Sequence, residues 1–348
     1  MKALITGHQG FIGAWTSLRF HEAGFQLYGL DKRSSYGHRM FDEAKLERLF
    51  QKQFNEDVAN FEGVNYIAQE VNPDIIVNLA GQAIVPRAFR QPYYTFMTNA
   101  VGTLTVLEAT RNLGSVKSVI CITSDKVYEN REQVWPYREN DRLGGKDIYS
   151  TSKATAELVS SAYSRTHLAG LDTNVQTVRL GNVVGGGDWS KDRLMPDLIC
   201  SVADKTTFFV RYANATRPFQ HVLDVVEGIY KISMASLERK HSSGESWNLG
   251  PKDNSYAKVM DVIDMCKAIW PQTIVQESGH KFKEDMHLAV DVSKFKLHFG
   301  TPKYDSYSAL QKTFEWYEKY LNKKMSLDGL IESEFKSYRD KNETAYSA

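Results

Sequence analysis

Lys2-Ala-Leu-Ile-Thr6 reads as a short strand, Gly7-His-Gln-Gly-Phe-Ile-Gly13 follows it directly, and a helical pattern runs from Ala14 to Glu22. No other feature restricts this 348-residue chain so strongly. The first glycine permits a tight turn, the second lets backbone approach a pyrophosphate, and the third lets helix pack on strand. The helix amino terminus then offers unpaired N–H groups and the positive end of a dipole to the phosphates. Gln26-Leu-Tyr-Gly-Leu-Asp31 supplies the next strand with an acid at its end, which is the context the motif requires. Gly7, Gln9, Gly10, Phe11, Ile12 and Gly13 are therefore candidate cofactor contacts. Asp31 suits both ribose hydroxyls and favours NAD, while Arg33 would suit a 2′-phosphate and keeps NADP open.

Further along, a helix is expected around Glu43–Phe50 and a short strand over Phe54–Val58. Asp57 and Val58 at its end are candidates to flank an adenine ring. Ile75 to Gly81 reads as a buried strand whose small terminal residues, Leu79, Ala80 and Gly81, would let a dinucleotide lie close. Pro92–Leu113 reads as one long helix carrying Asn99 on a face of small and apolar residues. A buried Asn must find partners. Asn99 either fixes the backbone of the active site or makes a plain structural hydrogen bond. Strands and helices alternate throughout, which predicts an α/β, Rossmann-like doubly wound parallel sheet.

The strand Ser118–Thr123 ends in Ser124-Asp125-Lys126, and ligands bind beyond the carboxyl ends of such strands. Thr123 counts with the cofactor contacts. Tyr149 and Lys153 stand four residues apart at the start of a helical pattern, one turn apart on one face. An ammonium beside a phenol favours the phenolate, a base able to take a proton from a sugar hydroxyl. Ser124 would hold that hydroxyl in line.

Beyond Asn174–Leu180, which reads as the next sheet strand, the loop Gly181-Asn-Val-Val-Gly-Gly-Gly-Asp-Trp189 can approach a ligand closely. Gln82, Asn182, Arg193 and Arg217 are candidate substrate contacts, with Arg211 nearby. An arginine fork matches a diphosphate. His221 lies in an apolar setting and reads as a core residue. Short strands are expected at Trp247–Gly250 and Thr273–Val275, a helix start at Asp291–Lys294, and a helix over Tyr307–Leu321 whose Phe314, Trp316 and Tyr317 belong to a core. The expected division is residues 1–180 for a cofactor-binding sheet domain, with later segments crossing back, 181–325 for a substrate lobe, and 326–348 for a polar segment of helical spacing.

A formal net charge of +1 gives no reason to expect nucleic acid as a partner. Three widely spaced cysteines read as free thiols in a reducing compartment. No signal peptide, membrane span or metal-ligand spacing is legible, and a soluble cytoplasmic protein is expected.

Taken together, the glycine triplet, Asp31, Ser124, Tyr149 and Lys153 resemble the extended short-chain dehydrogenase/reductase family. Longer strings resemble its nucleotide-sugar 4,6-dehydratases, above all those acting on CDP-glucose: Thr123-Ser-Asp-Lys, Tyr137-Arg-Glu-Asn-Asp141, Gly181–Trp189 and Ala215-Thr-Arg-Pro-Phe-Gln-His-Val222. The resemblance implies NAD as cofactor, a CDP-hexose substrate, and a homodimer or dimer of dimers paired through the helices beginning near Pro92 and Tyr149. It implies oxidation at carbon 4 with Tyr149 as base and Lys153 holding the phenolate and the nicotinamide ribose. Loss of water across carbons 5 and 6 follows, then hydride return to carbon 6. Asp125 and Lys126 are the implied pair for the elimination, their individual roles open. A lysine serves as base only when neutral, and a carboxyl as acid only when protonated. Ala83 and Pro86 depart from the Pro and Arg that the resemblance leads one to expect. A 4-epimerase or 4-reductase of the same fold needs no such pair, and a non-catalytic NAD-binding scaffold needs none of these groups.

Overall fold

The computed structural model describes residues 1–32, 39–278 and 286–340; Arg33 and the residues after 340 lie outside them. Six strands succeed one another in the amino-terminal half: β1 (Lys2–Thr6), β2 (Gln26–Asp31), β3 (Phe50–Asn55), β4 (Ile75–Asn78), β5 (Ser118–Ser124) and β6 (Asn174–Leu180). A seventh, Glu245–Leu249, comes from far along the chain and pairs with β6. The sheet is parallel throughout, in the order Glu245–Leu249, β6, β5, β4, β1, β2, β3. Winding reverses between β1 and β4, and a crevice opens beyond the carboxyl ends of those strands.

Every residue of β5 and β6 is buried, as a strand covered on both faces requires. Alternate side chains of β5 divide between two cores. Ile120 and Ile122 face α1 (Phe11–Glu22) and the helix Val222–Leu237; Val119 and Cys121 face the helices Phe61–Val71 and Gly102–Arg111. Each such Ile or Val stabilises the fold by roughly 1.5–3 kcal/mol relative to leaving it exposed. A third core, with Leu198, Phe208, Val262, Phe314, Trp316 and Tyr317, lies inside a smaller lobe of three helices, Leu194–Asp204, Val259–Ile269 and Ser306–Leu321. The helix Leu327–Asp340 lies against both units: Ile331 joins the sheet core and Leu330 the lobe core. Among the described residues, no helix is long and apolar enough to cross a membrane.

Four expectations are corrected. The strand expected at Phe54–Val58 runs instead over Phe50–Asn55, preceded by a 3₁₀ turn at Leu46–Leu49 rather than a helix. β3 is an edge strand whose Gln51 and Lys52 face solvent, so it lacks the apolar run that marks its neighbours. The helix expected over Pro92–Leu113 is interrupted by a π-helical turn at Met97–Val101, centred on Asn99. The short strand expected at Thr273–Val275 lies at Val275–Glu277, pairing with Phe208–Val210.

Candidate active site

The turn after β1 is built so that nothing fills it. Gly7 has φ +68°, and a Cβ there would come within 2.7 Å of the Ala80 nitrogen. A Cβ on Gly13 would meet the Gly7 carbonyl oxygen at 2.1 Å, so helix α1 can pack this closely only on glycine. No side chain caps α1 at Gly10, and its helical bonding begins with Ala14 N donating to Gly10 O at 2.8 Å. The N–H groups of Phe11, Ile12 and Gly13 are thus the donors of an uncapped helix start, an arrangement suited to an anion. The Asp31 carboxylate at the end of β2 accepts the Gln9 N–H at 3.0 Å, tying the acid to the glycine turn. These features fit a dinucleotide. Asp57 and Val58 stand outside the cleft lining. Asp57 pairs with Lys32 at 2.7 Å; burial alone would raise its carboxyl, but Lys32 and the Ala59 N–H hold it below its ordinary value. Val58 is buried against Gly102.

Tyr149 opens the helix Ile148–Arg165, whose amino terminus is fixed by Asp147: its Oδ1 accepts the N–H of Tyr149 at 2.8 Å and of Ser150 at 3.1 Å. One turn on, Lys153 is buried and donates to the Ile122 carbonyl of β5 at 3.0 Å. An ammonium has three protons, so two remain for the cleft that Lys153 lines. Burial pushes Lys153 down to about 8 and Tyr149 up to about 12. The Ser124 hydroxyl is the first group to oppose that rise in Tyr149. The sequence predicts a phenol made acidic by Lys153; in the protein alone burial outweighs every charge around the phenol, so the proton stays on.

Asn99, at the π turn, accepts the Gln82 N–H at 2.8 Å and donates to the Gln82 carbonyl at 3.0 Å and to Ser152 Oγ at 2.9 Å. Ser152 in turn donates to the Tyr149 carbonyl at 2.7 Å. Asn99 therefore pins the loop after β4 to the helix that carries Tyr149, and does not itself line the cleft.

β5 ends in a 3₁₀ turn, Asp125–Val127, capped by Ser124, whose Oγ accepts the Lys126 N–H at 3.2 Å and donates to Asp125 Oδ1 at 3.0 Å. Burial pushes the Asp125 carboxyl up against the opposing pull of Lys126, Ser124 and Arg217. Lys126 is half-buried and shares the cleft with Asp125. Beneath the turn lies a polar network that the sequence reading missed. The buried Glu157 carboxylate accepts Arg179 Nη2 at 2.8 Å, the Thr177 hydroxyl at 2.8 Å, the Ser246 hydroxyl at 2.9 Å and the Thr123 hydroxyl. Arg179 also donates to the Tyr128 hydroxyl at 2.9 Å, and Tyr128 donates to Asn248 Oδ1 at 2.6 Å. An Arg inside the buried strand β6 was the available signal, since a buried guanidinium requires a carboxylate.

The cleft between sheet and lobe has a volume of about 910 Å³. Its sheet side brings together Gly7, Gly10, Phe11, Ile12, Gly13, Leu79, Gly81, Thr123, Ser124, Asp125, Lys126, Tyr149 and Lys153. Gln9, Asp31 and Ala80 lie outside this lining. Its lobe side brings in Asn182, Arg193 and Arg217, and with them Arg211 and Tyr212. Arg193 reaches Asp188 at 3.5 Å, and Arg217 donates to the Thr216 carbonyl at 2.9 Å. Gln82 lines the cleft, yet its side-chain amide is committed to Thr95 Oγ1 at 2.8 Å and the Ile84 N–H at 2.6 Å. Arg87, Arg90 and Asp192 also line the cleft, with Arg90 and Asp192 paired at 3.0 Å. His221 is buried and caps the helix Val222–Leu237 by accepting the Leu223 N–H at 3.3 Å. Among the described residues, no group of three or more His, Cys, Asp or Glu could hold a metal ion.

Residues 3–250 match the model of the NAD dependent epimerase/dehydratase family. CDP-glucose 4,6-dehydratase of Salmonella typhimurium is 33% identical over 329 residues, covering 92% of this chain and 91% of that protein. Among solved structures, dTDP-glucose 4,6-dehydratase of Bacillus anthracis in complex with NAD superposes with a TM-score of 0.77 at 22% identity, over 92% of this chain and 97% of that one. UDP-glucose 4-epimerase of Thermotoga maritima gives 0.79 at 21%, over 92% and 100%. These two structural likenesses speak to the fold.

Proposed function

The chain belongs to the NAD dependent epimerase/dehydratase family, and we propose that within it the protein is a nucleotide-sugar 4,6-dehydratase converting CDP-glucose to CDP-4-keto-6-deoxyglucose. One observation carries the choice of reaction: Asp125 and Lys126 face the same cleft as Tyr149, with Asp125 buried and its carboxyl shifted toward the protonated form. Oxidation at carbon 4 needs a base alone, whereas expelling the 6-hydroxyl needs an acid and a second base as well. The relative that is 33% identical over 92% of this chain bears the name CDP-glucose 4,6-dehydratase, which supports the same reading.

The glycine turn, the amino terminus of α1, Asp31 and Lys153 would hold NAD. When bound, NAD supplies the two-electron chemistry, taking hydride at carbon 4 and returning it at carbon 6. Tyr149, as the phenolate that the positive charges of Lys153 and bound NAD⁺ would favour, takes the proton of the 4-hydroxyl, which Ser124 orients. The ketone acidifies the hydrogen on carbon 5; Lys126 removes that proton and Asp125 protonates the departing 6-hydroxyl. Arg193 and Arg217 bind the diphosphate as charged hydrogen-bond donors. Two helical stretches, 92–111 and 148–165, leave Tyr93, Leu104 and Leu158 exposed at 77%, 36% and 61%, an apolar surface that supports pairing with a second copy. A cytoplasmic site of action follows from the nucleotide-sugar substrate.

The test is incubation with NAD⁺ and a panel of CDP-, dTDP-, UDP- and GDP-hexoses. The expected result is loss of one water from CDP-glucose, with solvent exchange at carbon 5. Inverted configuration at carbon 4 with the 6-hydroxyl retained would select an epimerase instead.

A further inference from the structure

Tyr128 follows directly on the 3₁₀ turn Asp125–Val127 and is buried, with 2% exposure. Its ring stacks on Tyr137, centroids 5.1 Å apart, in a small apolar core with Val127, Leu288, Val290 and Val292. Phenylalanine would fill that place as well, so the hydroxyl needs its own account. The Asn248 amide nitrogen donates to the Tyr137 carbonyl at 2.9 Å and to the Asp291 carbonyl at 3.0 Å, which leaves Oδ1 as the acceptor. Tyr128 donates to that oxygen at 2.6 Å and accepts Arg179 Nη1 at 2.9 Å. Asn248 belongs to the strand Glu245–Leu249 and Arg179 to β6, so one hydroxyl fastens the exit of the turn to two strands. The entry is fastened at the end of β5, where the Thr123 hydroxyl bonds to Glu157 and to the Val178 carbonyl at 3.3 Å. Asp125 and Lys126 lie between these two anchors. Tyr149 and Lys153 are held by other bonds: the Asp147 cap, the Ser152–Asn99 link and the Ile122 carbonyl. None of those bonds passes through Tyr128.

We propose that Tyr128 is a positioning residue for the elimination alone: its hydroxyl fixes where Asp125 and Lys126 stand against carbons 5 and 6, while oxidation at carbon 4 proceeds without it. The inference rests on the dehydratase reading given above and divides that site into two separately seated halves. The base for carbon 4 stands on a long helix. The pair for carbons 5 and 6 stands on a turn of three residues, which takes its place from whatever grips its ends. Once carbon 4 has given hydride to the nicotinamide and its hydroxyl proton to Tyr149, the ketone goes forward only if a base reaches the carbon 5 hydrogen and an acid reaches the 6-hydroxyl. A displacement of about 1 Å in such a pair costs up to ~100-fold in rate.

Tyr128→Phe keeps the ring and its stack on Tyr137 and removes only the hydroxyl. Enzyme in excess is mixed rapidly with NAD⁺ and CDP-glucose; reduced cofactor is followed by absorbance, and quenched samples are read by mass. Wild type should pass to dehydrated product with little reduced cofactor standing. Tyr128→Phe should reduce the cofactor at close to the wild-type rate but dehydrate at least ~10-fold more slowly. NADH should then accumulate together with a sugar nucleotide two hydrogens lighter than the substrate, and deuterium from solvent should enter carbon 5 correspondingly late. Tyr137→Phe is the control. It removes the other buried hydroxyl of the stacked pair, one bonded to the Arg131 N–H at 2.7 Å and to Asn130 Oδ1 at 3.1 Å rather than to either strand, and should show no accumulation. Four results would overturn the positioning role and leave the dehydratase reading intact: oxidation and dehydration slowed in parallel, accumulation in both variants alike, dehydration by Tyr128→Phe at wild-type speed, or a Tyr128→Phe protein without a cooperative thermal transition. Wild type that forms no dehydrated product from any sugar nucleotide of the panel would overturn the dehydratase reading, and the positioning role with it.

Discussion

Arg179→Met removes the cation that makes the buried Glu157 tolerable beneath the catalytic turn. The pair is 2.8 Å apart, with side-chain exposures of 3% and 2%. Burial alone would raise the Glu157 carboxyl, but the Arg179 charge and its hydrogen bond, with those of Thr123 and Thr177, hold it below its ordinary value. Without the guanidinium an uncompensated carboxylate stays in the core, a loss of about 3–5 kcal/mol. At about 2.1 cal/mol/K per residue, a chain of this length unfolds with roughly 0.7 kcal/mol/K, so the melting temperature should fall by roughly 4–7 °C. Adding Glu157→Gln removes the orphaned charge and keeps an oxygen for the three hydroxyls, so the double variant should be more stable than Arg179→Met alone. The folded-state pKa of Glu157 is depressed, so its contribution is present above the unfolded value and lost as pH falls through the folded one. The defect of Arg179→Met should accordingly shrink toward pH 5, where the stranded carboxyl can protonate. Thermal and urea unfolding of the four proteins of the cycle, read by circular dichroism, check this. A loss below about 1 kcal/mol, or two single effects that simply add, would refute the reasoning.

Other expectations are as direct. Gly13→Ala places a methyl group where the Gly7 carbonyl already stands, and NAD titrated by calorimetry should bind at least ~10-fold more weakly, or the variant should melt lower. Tyr149→Phe should abolish hydride transfer while NAD affinity, measured the same way, stays within about twofold, because only the group meeting the 4-hydroxyl is lost. Burial lifts Glu334 to about 7 from 4.5, so between these values the folded chain binds more protons than the unfolded one and stability falls as pH rises. Glu334→Gln should therefore be more stable than the parent by roughly 2–3 kcal/mol at pH 8, with the gain gone near pH 4.5 in pH-resolved unfolding curves.

The glycine turn was legible because each of its residues answers a local steric demand, and β4 and β5 because burial on both faces writes a continuous apolar run. β3 was not, since an edge strand with Gln51 and Lys52 turned to water carries no such signature. Asn99 could be read as a buried amide in need of partners, but the partners themselves, Gln82 and Ser152, lie far away in sequence. Gln82 illustrates the reverse failure. Its place beside the cleft followed from β4, yet nothing local shows that Thr95 and the Ile84 N–H occupy its amide. Glu157 stood two turns after Tyr149, and only the packing of the helix Ile148–Arg165 against the sheet brings Arg179 of β6 to it.

Reaction and substrate draw on different parts of the fold, and the sequence speaks to them unequally. The residues proposed to move protons come from the end of β5 and the first turns of the helix Ile148–Arg165, within one stretch of about thirty residues and locked together by the Lys153 bond to Ile122. A motif confined to one stretch can report such a unit whole. The groups placed to bind the rest of the substrate come instead from loops spread between Gln82 and Arg217, whose meeting depends on how the lobe closes over the sheet. Two departures from the dehydratase pattern, Ala83 and Pro86, fall there. Ala83 is an exposed residue of the cleft wall, while Pro86 is buried in the first turn of the helix Val85–Arg90, where a proline is accommodated without losing a helical hydrogen bond. Ala83 puts a methyl group on the wall where a bulkier ring was expected, and Pro86 removes a cation, so both changes bear on which hexose and nucleotide fit. Neither change falls at Ser124, Asp125, Lys126 or Tyr149, and the choice of reaction therefore stands on firmer ground than the choice of sugar.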